Sequence, residues 1–243
     1  MTDKRTPAPT TSSAKPPQSA SGRAEISAFL EAARKVRPAG AGAGRLVFAL
    51  DATMSRQPTW DMAVTMQGAM FDAARDVGGL AVQLVYYRGL SECRASRWVS
   101  DAATLKDLMV RIDCRGGHTQ IGRVLRHVSQ EHSKAKVSAL VFIGDAMEEG
   151  VDTLVQTAGE MGLRGIPAFM FQEGNDASVE RAFREIAKVS GGAWFRFDRN
   201  SADVLSRLLQ SIAVYASGGF KALENRGTRE DRLLIGHLRG TGA

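Results

Sequence analysis

Cysteine is almost missing from this 243-residue chain, which carries only Cys93 and Cys114. Two thiols cannot build a disulfide framework, and Cys114-x3-His118 alone cannot fill a tetrahedral zinc site, so both are expected as ordinary reduced side chains. No apolar run approaches the roughly 18 residues of a spanning helix, and no basic start leads into an apolar stretch. The expectation is a soluble, cytoplasmic chain with no membrane contact. Proline is scarce beyond the N-terminus, with four of the seven at Pro7, Pro9, Pro16 and Pro17. P-loop, nucleophile-elbow and His-Glu-x-x-His motifs are absent as well, which removes the commonest catalytic routes and leaves no catalytic constellation.

A strongly basic core is also lacking, although the net charge is +6 and the pI near 9.6. Residues 1–23 carry four basic groups and one acidic group, and residues 221–243 carry five and three, which leaves the middle of the chain close to neutral. Nucleic-acid contact is therefore expected only through the basic tails, as salt-dependent and sequence-indifferent binding.

What is present is enough apolar residue, 44% of the chain, for one full-sized core. Residues 1–22, rich in Pro, Ser and Thr, read as a disordered tail. In residues 23–44, Ile26, Phe29, Leu30 and Ala33 recur at helical spacing before a linker with glycines at 40, 42 and 44. From 45 to 216, apolar runs alternate with helical patterns. The runs are Leu46–Leu50, Leu80–Tyr87, Val137–Ile143, Ala168–Phe171 and Ala193–Phe197, and the helical patterns lie near 58–76, 102–113, 120–132, 151–164, 177–189 and 201–215. Continuous apolar strands between helices predict an α/β fold of three αβα layers, Rossmann-like, its sheet mostly parallel. Arg94–Val99 follows the second strand too closely for a crossover helix, so it must pair antiparallel at an edge and complete six strands. Residues 217–243 read as a tail with a short helix from Thr228 to Arg239.

The parallel strands deliver their C-terminal ends to one side, and there the chemistry gathers. The first strand runs into Asp51-Ala-Thr53-Met-Ser55, a carboxylate and two hydroxyls at alternate positions that share a direction while the chain stays extended. Ala139–Gly144 ends in Asp145. Between them, Gly116-Gly117 lets the backbone turn so that Thr119 presents a hydroxyl at a helix start. Two converging carboxylates repel each other, and either a raised pKa or a bound cation relieves that. The hydroxyls favour the cation, because carboxylate and hydroxyl oxygens are hard ligands suited to Mg2+, or to Mn2+ or Ca2+. The bland alternative has Thr53 and Thr119 capping helices and Asp51 accepting backbone N–H groups.

Asp51-x-Thr53-x-Ser55, Thr119 after Gly116-Gly117, and Asp145 at a strand end resemble the metal-ion-dependent adhesion site of von Willebrand factor A (VWA) domains, over about residues 45–216. The resemblance implies the VWA fold, a divalent cation held by Asp51, Thr53, Ser55, Thr119 and Asp145, and a partner protein whose acidic group completes the metal shell. An adaptor or scaffold within a larger intracellular assembly is the role expected. Two departures stand out. Thr53 replaces the usual serine, keeping the oxygen but stiffening the side chain. Asp145 is followed by Ala-Met-Glu148-Glu149 rather than glycine, adding negative charge beside the metal. Trp60, Tyr87, Arg88, His118 and Glu148 are the residues singled out for contact with the partner. The rival enzyme reading is a Mg-dependent haloacid dehalogenase-like phosphatase, but Thr53 stands where its second aspartate would act, and no lysine partner is evident.

Overall fold

The structure is a computed structural model and describes residues 43–53, 57–198 and 201–240. The helical pattern at 24–36 and Ser55 lie outside the described residues. The elements in chain order are β1 (Gly44–Asp51), α1 (Gln57–Ala74), β2 (Leu80–Arg88), β3 (Glu92–Val99), α2 (Ala102–Met109), α3 (Ile121–Lys134), β4 (Ala139–Gly144), α4 (Val151–Leu163), β5 (Ala168–Glu173), α5 (Ala177–Ser190), β6 (Ala193–Phe197), α6 (Ala202–Arg226) and α7 (Arg229–Leu238). The six strands lie in the order β3-β2-β1-β4-β5-β6. All neighbours pair parallel except β3, which runs antiparallel to β2 after the three-residue connection 89–91.

Two-residue periodicity sorts β1 between two cores. Leu46, Phe48 and Leu50 face α1, α2, α6 and α7, while Val47 and Ala49 face α3, α4 and α5. Both faces are covered, so the strand is apolar throughout rather than alternating. The helices supply matching stripes. Ile121, Val124, Leu125 and Val128 of α3 and Val179, Ala182, Phe183 and Ile186 of α5 recur three and four residues apart and are buried. Side-chain chemistry sets the helix starts: Asp176 Oδ1 accepts the N–H groups of Ser178 (2.7 Å) and Val179 (3.2 Å), and Asp101 Oδ1 accepts that of Thr104 (2.8 Å).

Three elements differ from the sequence reading. Gly44 opens β1 rather than closing a linker, and a Cβ there would come within 2.2 Å of the Ala216 carbonyl, so the residue is small because α6 presses on it. The helix expected over 102–113 stops at Met109, releasing a loop that travels to the sheet's upper end. The last long helix does not end near 215; α6 runs on to Arg226, bent at Gly219. Then α7 folds back with Leu234 buried, capped by Thr228 and Asp231 in a reciprocal pair.

The strand order reverses direction at β1: the chain moves outward to β2 and β3, then returns to place β4 on the other side. Loops leaving β1 and β4 therefore diverge, and a crevice opens between the ends of these two strands.

Candidate metal centre

Asp51 is the last residue of β1 and only 2% exposed. Its Oδ1 accepts the Thr53 N–H at 2.8 Å, a turn that carries the chain off the sheet while fixing the carboxylate. Asp145 follows Gly144 at the end of the neighbouring strand β4.

Thr119 comes from far away in sequence, and its loop is stitched down at several points. Arg115 N–H donates to the Ala52 carbonyl at 2.9 Å and His118 N–H to that of Gly89 at 3.1 Å. Gly117 packs so tightly on the 89–91 turn that a Cβ would lie 2.2 Å from the Gly89 carbonyl oxygen. Gly116 has open space around it. The pair of glycines thus works through close approach at one position rather than through flexibility at both. Thr119 itself is 7% exposed and does not cap α3. Its Oγ1 accepts the Glu148 N–H at 2.9 Å, and its own N–H donates to Glu148 Oε2 at 2.9 Å. This reciprocal pair closes the Thr119 loop onto the loop after β4, and the hydroxyl oxygen keeps a second lone pair.

Asp51, Thr53, Thr119 and Asp145, with Glu148 at the lip, line one cleft of about 240 Å³. Four of the five residues assigned to the cation from sequence thus meet in one place. Among the described residues, no three His, Cys, Asp or Glu side chains gather into a metal-holding cluster. The donor set is two carboxylates and two hydroxyls, all oxygen, at a rim otherwise unfavourable for paired negative charge. That chemistry fits a hard divalent cation retaining several waters, and not a soft metal.

Glu148 and Glu149 also have structural work beside the candidate site. Glu149 accepts the N–H groups of Ile121 (2.5 Å) and Gly122 (3.0 Å), supplying the cap that Gln120 does not give α3. Glu148 is held below the usual carboxylate range by the Thr119 N–H and then by His118, whose Nδ1 lies 3.0 Å away.

Of the residues singled out for partner contact, the structure keeps two at the surface: the side chains of His118 and Glu148 are 65% and 51% exposed. It corrects the other three. Trp60 is buried, donates its indole N–H to the Met109 carbonyl at 3.1 Å and meets Tyr86 edge-on. Tyr87 is buried against Phe142, because β2 is an interior strand covered on both faces. Arg88 is buried too. Its Nε donates to Glu92 Oε2 at 3.2 Å, and its Nη1 donates to the Asp113 carbonyl at 2.6 Å, at the start of the loop that delivers Thr119. Sequence reasoning missed this anchoring role, as it missed the cap from Glu149. An isolated arginine at a strand end and a glutamate pair after a strand-end aspartate were the only signals. No lysine lines the cleft among the described residues, so the phosphatase reading gains no partner for Asp51.

A doubly wound αβα domain with an oxygen-lined crevice at its strand-order reversal is the class defined by these observations. Sequence comparison finds no matching family profile and no matching curated protein. Solved structures do match. An aerotolerance-related membrane protein from Bacteroides fragilis, carrying multiple mutations to serine, is 18% identical, with 70% of this chain and 98% of that one covered and a TM-score of 0.55. A von Willebrand factor type A protein from Catenulispora acidiphila is 17% identical over 74% of this chain and 44% of that one, with a TM-score of 0.56. Proximal thread matrix protein 1 from the mussel byssus, with a zinc-occupied MIDAS motif, is 16% identical over 70% of this chain and 45% of that one, with a TM-score of 0.51. The chain has the VWA fold.

Proposed function

We propose that this protein is a divalent-cation-dependent protein-binding module, with Asp51, Thr53, Ser55, Thr119 and Asp145 holding the ion. The observation that carries the reading is the convergence of four of these side chains, from three separate loops, on one cleft at the crevice between β1 and β4. The zinc-occupied motif in the mussel byssus protein supports a divalent ion in this fold. Few protein charges at the ion leave coordination positions to water and to an incoming ligand. A carboxylate from a partner protein is the group that completes the shell, with His118 and Glu148 lining its approach. Mg2+ is the expected ion, since all the donors are hard oxygens, with Mn2+ and Ca2+ as competitors. The bound ion supplies positive charge for recognition, and no bond is made or broken. We place the module as an adaptor or scaffold in a larger intracellular assembly. No described helix is long and apolar enough to cross a membrane.

The experiment is an affinity capture from the source cell extract with wild type and Asp145→Ala, each with Mg2+ and with EDTA. Retention of the same protein only by wild type and only with metal supports the reading. Equal capture in all four arms rejects it.

A further inference from the structure

The turn 89–91, which joins β2 to β3, is fastened to the segment that delivers Thr119. The Gly89 carbonyl accepts the His118 N–H at 3.1 Å, and the Ser91 carbonyl accepts from Arg123 Nη1 at 2.6 Å. Gln120, only 5% exposed, directs its Nε2 at the carbonyls of Gly89 and Glu92, at 3.5 and 3.3 Å. Gly89 takes φ 61, the left-handed conformation that lets the chain reverse here. The turn is thus shaped by Gly89 and held by its carbonyls, and neither requirement involves the side chain at its tip.

That side chain is Leu90, and it is 65% exposed. Small polar residues and glycine suit a tight turn better, and a leucine here gives the fold little buried area. Its position sets it apart from other surface leucines. A Cβ on Gly117 would meet Gly89 Cα at 2.4 Å, so the two glycine Cα atoms lie within about 4 Å, and Leu90 Cα within about 8 Å of Gly117 Cα. Gly117 lines the metal cleft. His118 and Arg123, which bond to the turn, are exposed as well, so the leucine is an apolar point within a polar rim, the pattern of an interface anchor. Leu163, by contrast, is 92% exposed at the end of α4, where the chain turns back toward the start of β5 and away from the cleft.

We infer that Leu90 is the apolar anchor for the partner whose carboxylate completes the metal shell, an inference that rests on the cation-dependent reading above. The partner is a protein segment with an acidic residue and, about 7–10 Å from it, a large aliphatic side chain, which in an extended chain means two or three residues away. Because the turn is fastened before the partner arrives, seating on Leu90 orders little of this chain, and the apolar area buried there is retained as affinity.

The test uses the full chain in Mg2+ and two dye-labelled, amidated pentapeptides, Leu-Gly-Asp-Gly-Leu and Ser-Gly-Asp-Gly-Ser; leucine on both sides of the aspartate covers both chain directions. By fluorescence polarisation, wild type is expected to bind the leucine peptide at least about tenfold more tightly than the serine peptide, and Leu90→Ser to lose that preference. Leu163→Ser, the matched exposed leucine, should keep it. Both side chains are exposed, so neither substitution endangers the fold, and the Mg2+-induced rise in melting temperature should be the same in all three proteins. A preference that survives in Leu90→Ser, is lost equally in Leu163→Ser, or is missing in wild type overturns the inference. The melting series separates the two failures. Wild type that responds to Mg2+ without any leucine preference overturns the role of Leu90 alone, and wild type indifferent to Mg2+ overturns the cation site with it.

Discussion

Replacing Gly117 by alanine places a methyl group 2.2 Å from the Gly89 carbonyl oxygen and 2.3 Å from its nitrogen, where ordinary contact begins near 3.4 Å. Both neighbours are backbone, so neither yields by a rotamer change; the Thr119 loop and the 89–91 turn must part by about 1.2 Å. That displacement breaks the 3.1 Å hydrogen bond from His118 N–H to the Gly89 carbonyl. Overpacking of this kind costs about 1–3 kcal/mol, and the lost hydrogen bond about 1 more, for a total of about 2–4 kcal/mol. Thr119 moves with its loop, so Mg2+ affinity should fall at least about tenfold, equivalent to about 1.4 kcal/mol. Gly116→Ala is the matched control: it has open space and no positive φ, and should be neutral or more stable by about 0.4–1 kcal/mol. Urea denaturation of both variants measures the first effect, and Mg2+ titration by calorimetry the second. Stabilities within about 0.5 kcal/mol of each other, below the smallest overpacking cost expected, would refute the claim that contact and not flexibility fixes the glycine.

Further outcomes follow from the same geometry. In EDTA, Asp51→Asn should melt at or above the wild-type temperature because one of two converging charges is gone, yet it should lose the Mg2+-induced rise, which at 100 times Kd amounts to about 2.7 kcal/mol in wild type; a wild-type protein whose melting ignores Mg2+ contradicts the cation site. Arg88→Met should cost about 2–3 kcal/mol in denaturant unfolding, since it removes the charge-assisted bonds to Glu92 and to the Asp113 carbonyl while Tyr86 and Arg94 still face the Glu92 carboxylate, and a loss below about 1 kcal/mol would show the pair to be dispensable. Burial alone would raise the Asp231 carboxyl, but Arg226 and Thr228 outweigh it and hold it at about 2, against 3.8 when unfolded. Its contribution, about 2 kcal/mol, is therefore complete above pH 4 and disappears as the pH falls through about 2. Unfolding free energies of wild type should drop across that window, and those of Asp231→Asn should drop by less; parallel curves count against the buried ion pair.

The sheet and its upper rim were legible because both depend on short-range order. Leu46–Leu50 and Ala139–Gly144 are too apolar for a one-sided strand, so they had to be interior, and a carboxylate directly after each had to emerge on the same side. Contacts between distant segments were not legible. Tyr87 and Arg88 look like a polar strand end until β3 folds back beside them, and the groups that satisfy Arg88 include a carbonyl 25 positions away. Gly117 is small because of Gly89, and Gly44 because of Ala216, pairings that no local pattern encodes. The helix runs past 215 because packing carries the chain through the bend at Gly219, where two adjacent glycines would ordinarily end it.

The mutual grip of Thr119 and Glu148 has a thermodynamic corollary. Since amide and hydroxyl, amide and carboxylate already satisfy one another across the two loops, the fold itself fixes the Thr119 corner of the candidate site. Under the proposed function, ordering of that corner adds little to the cost of binding, and release of the ion need not await a rearrangement of the Thr119 and Glu148 loops.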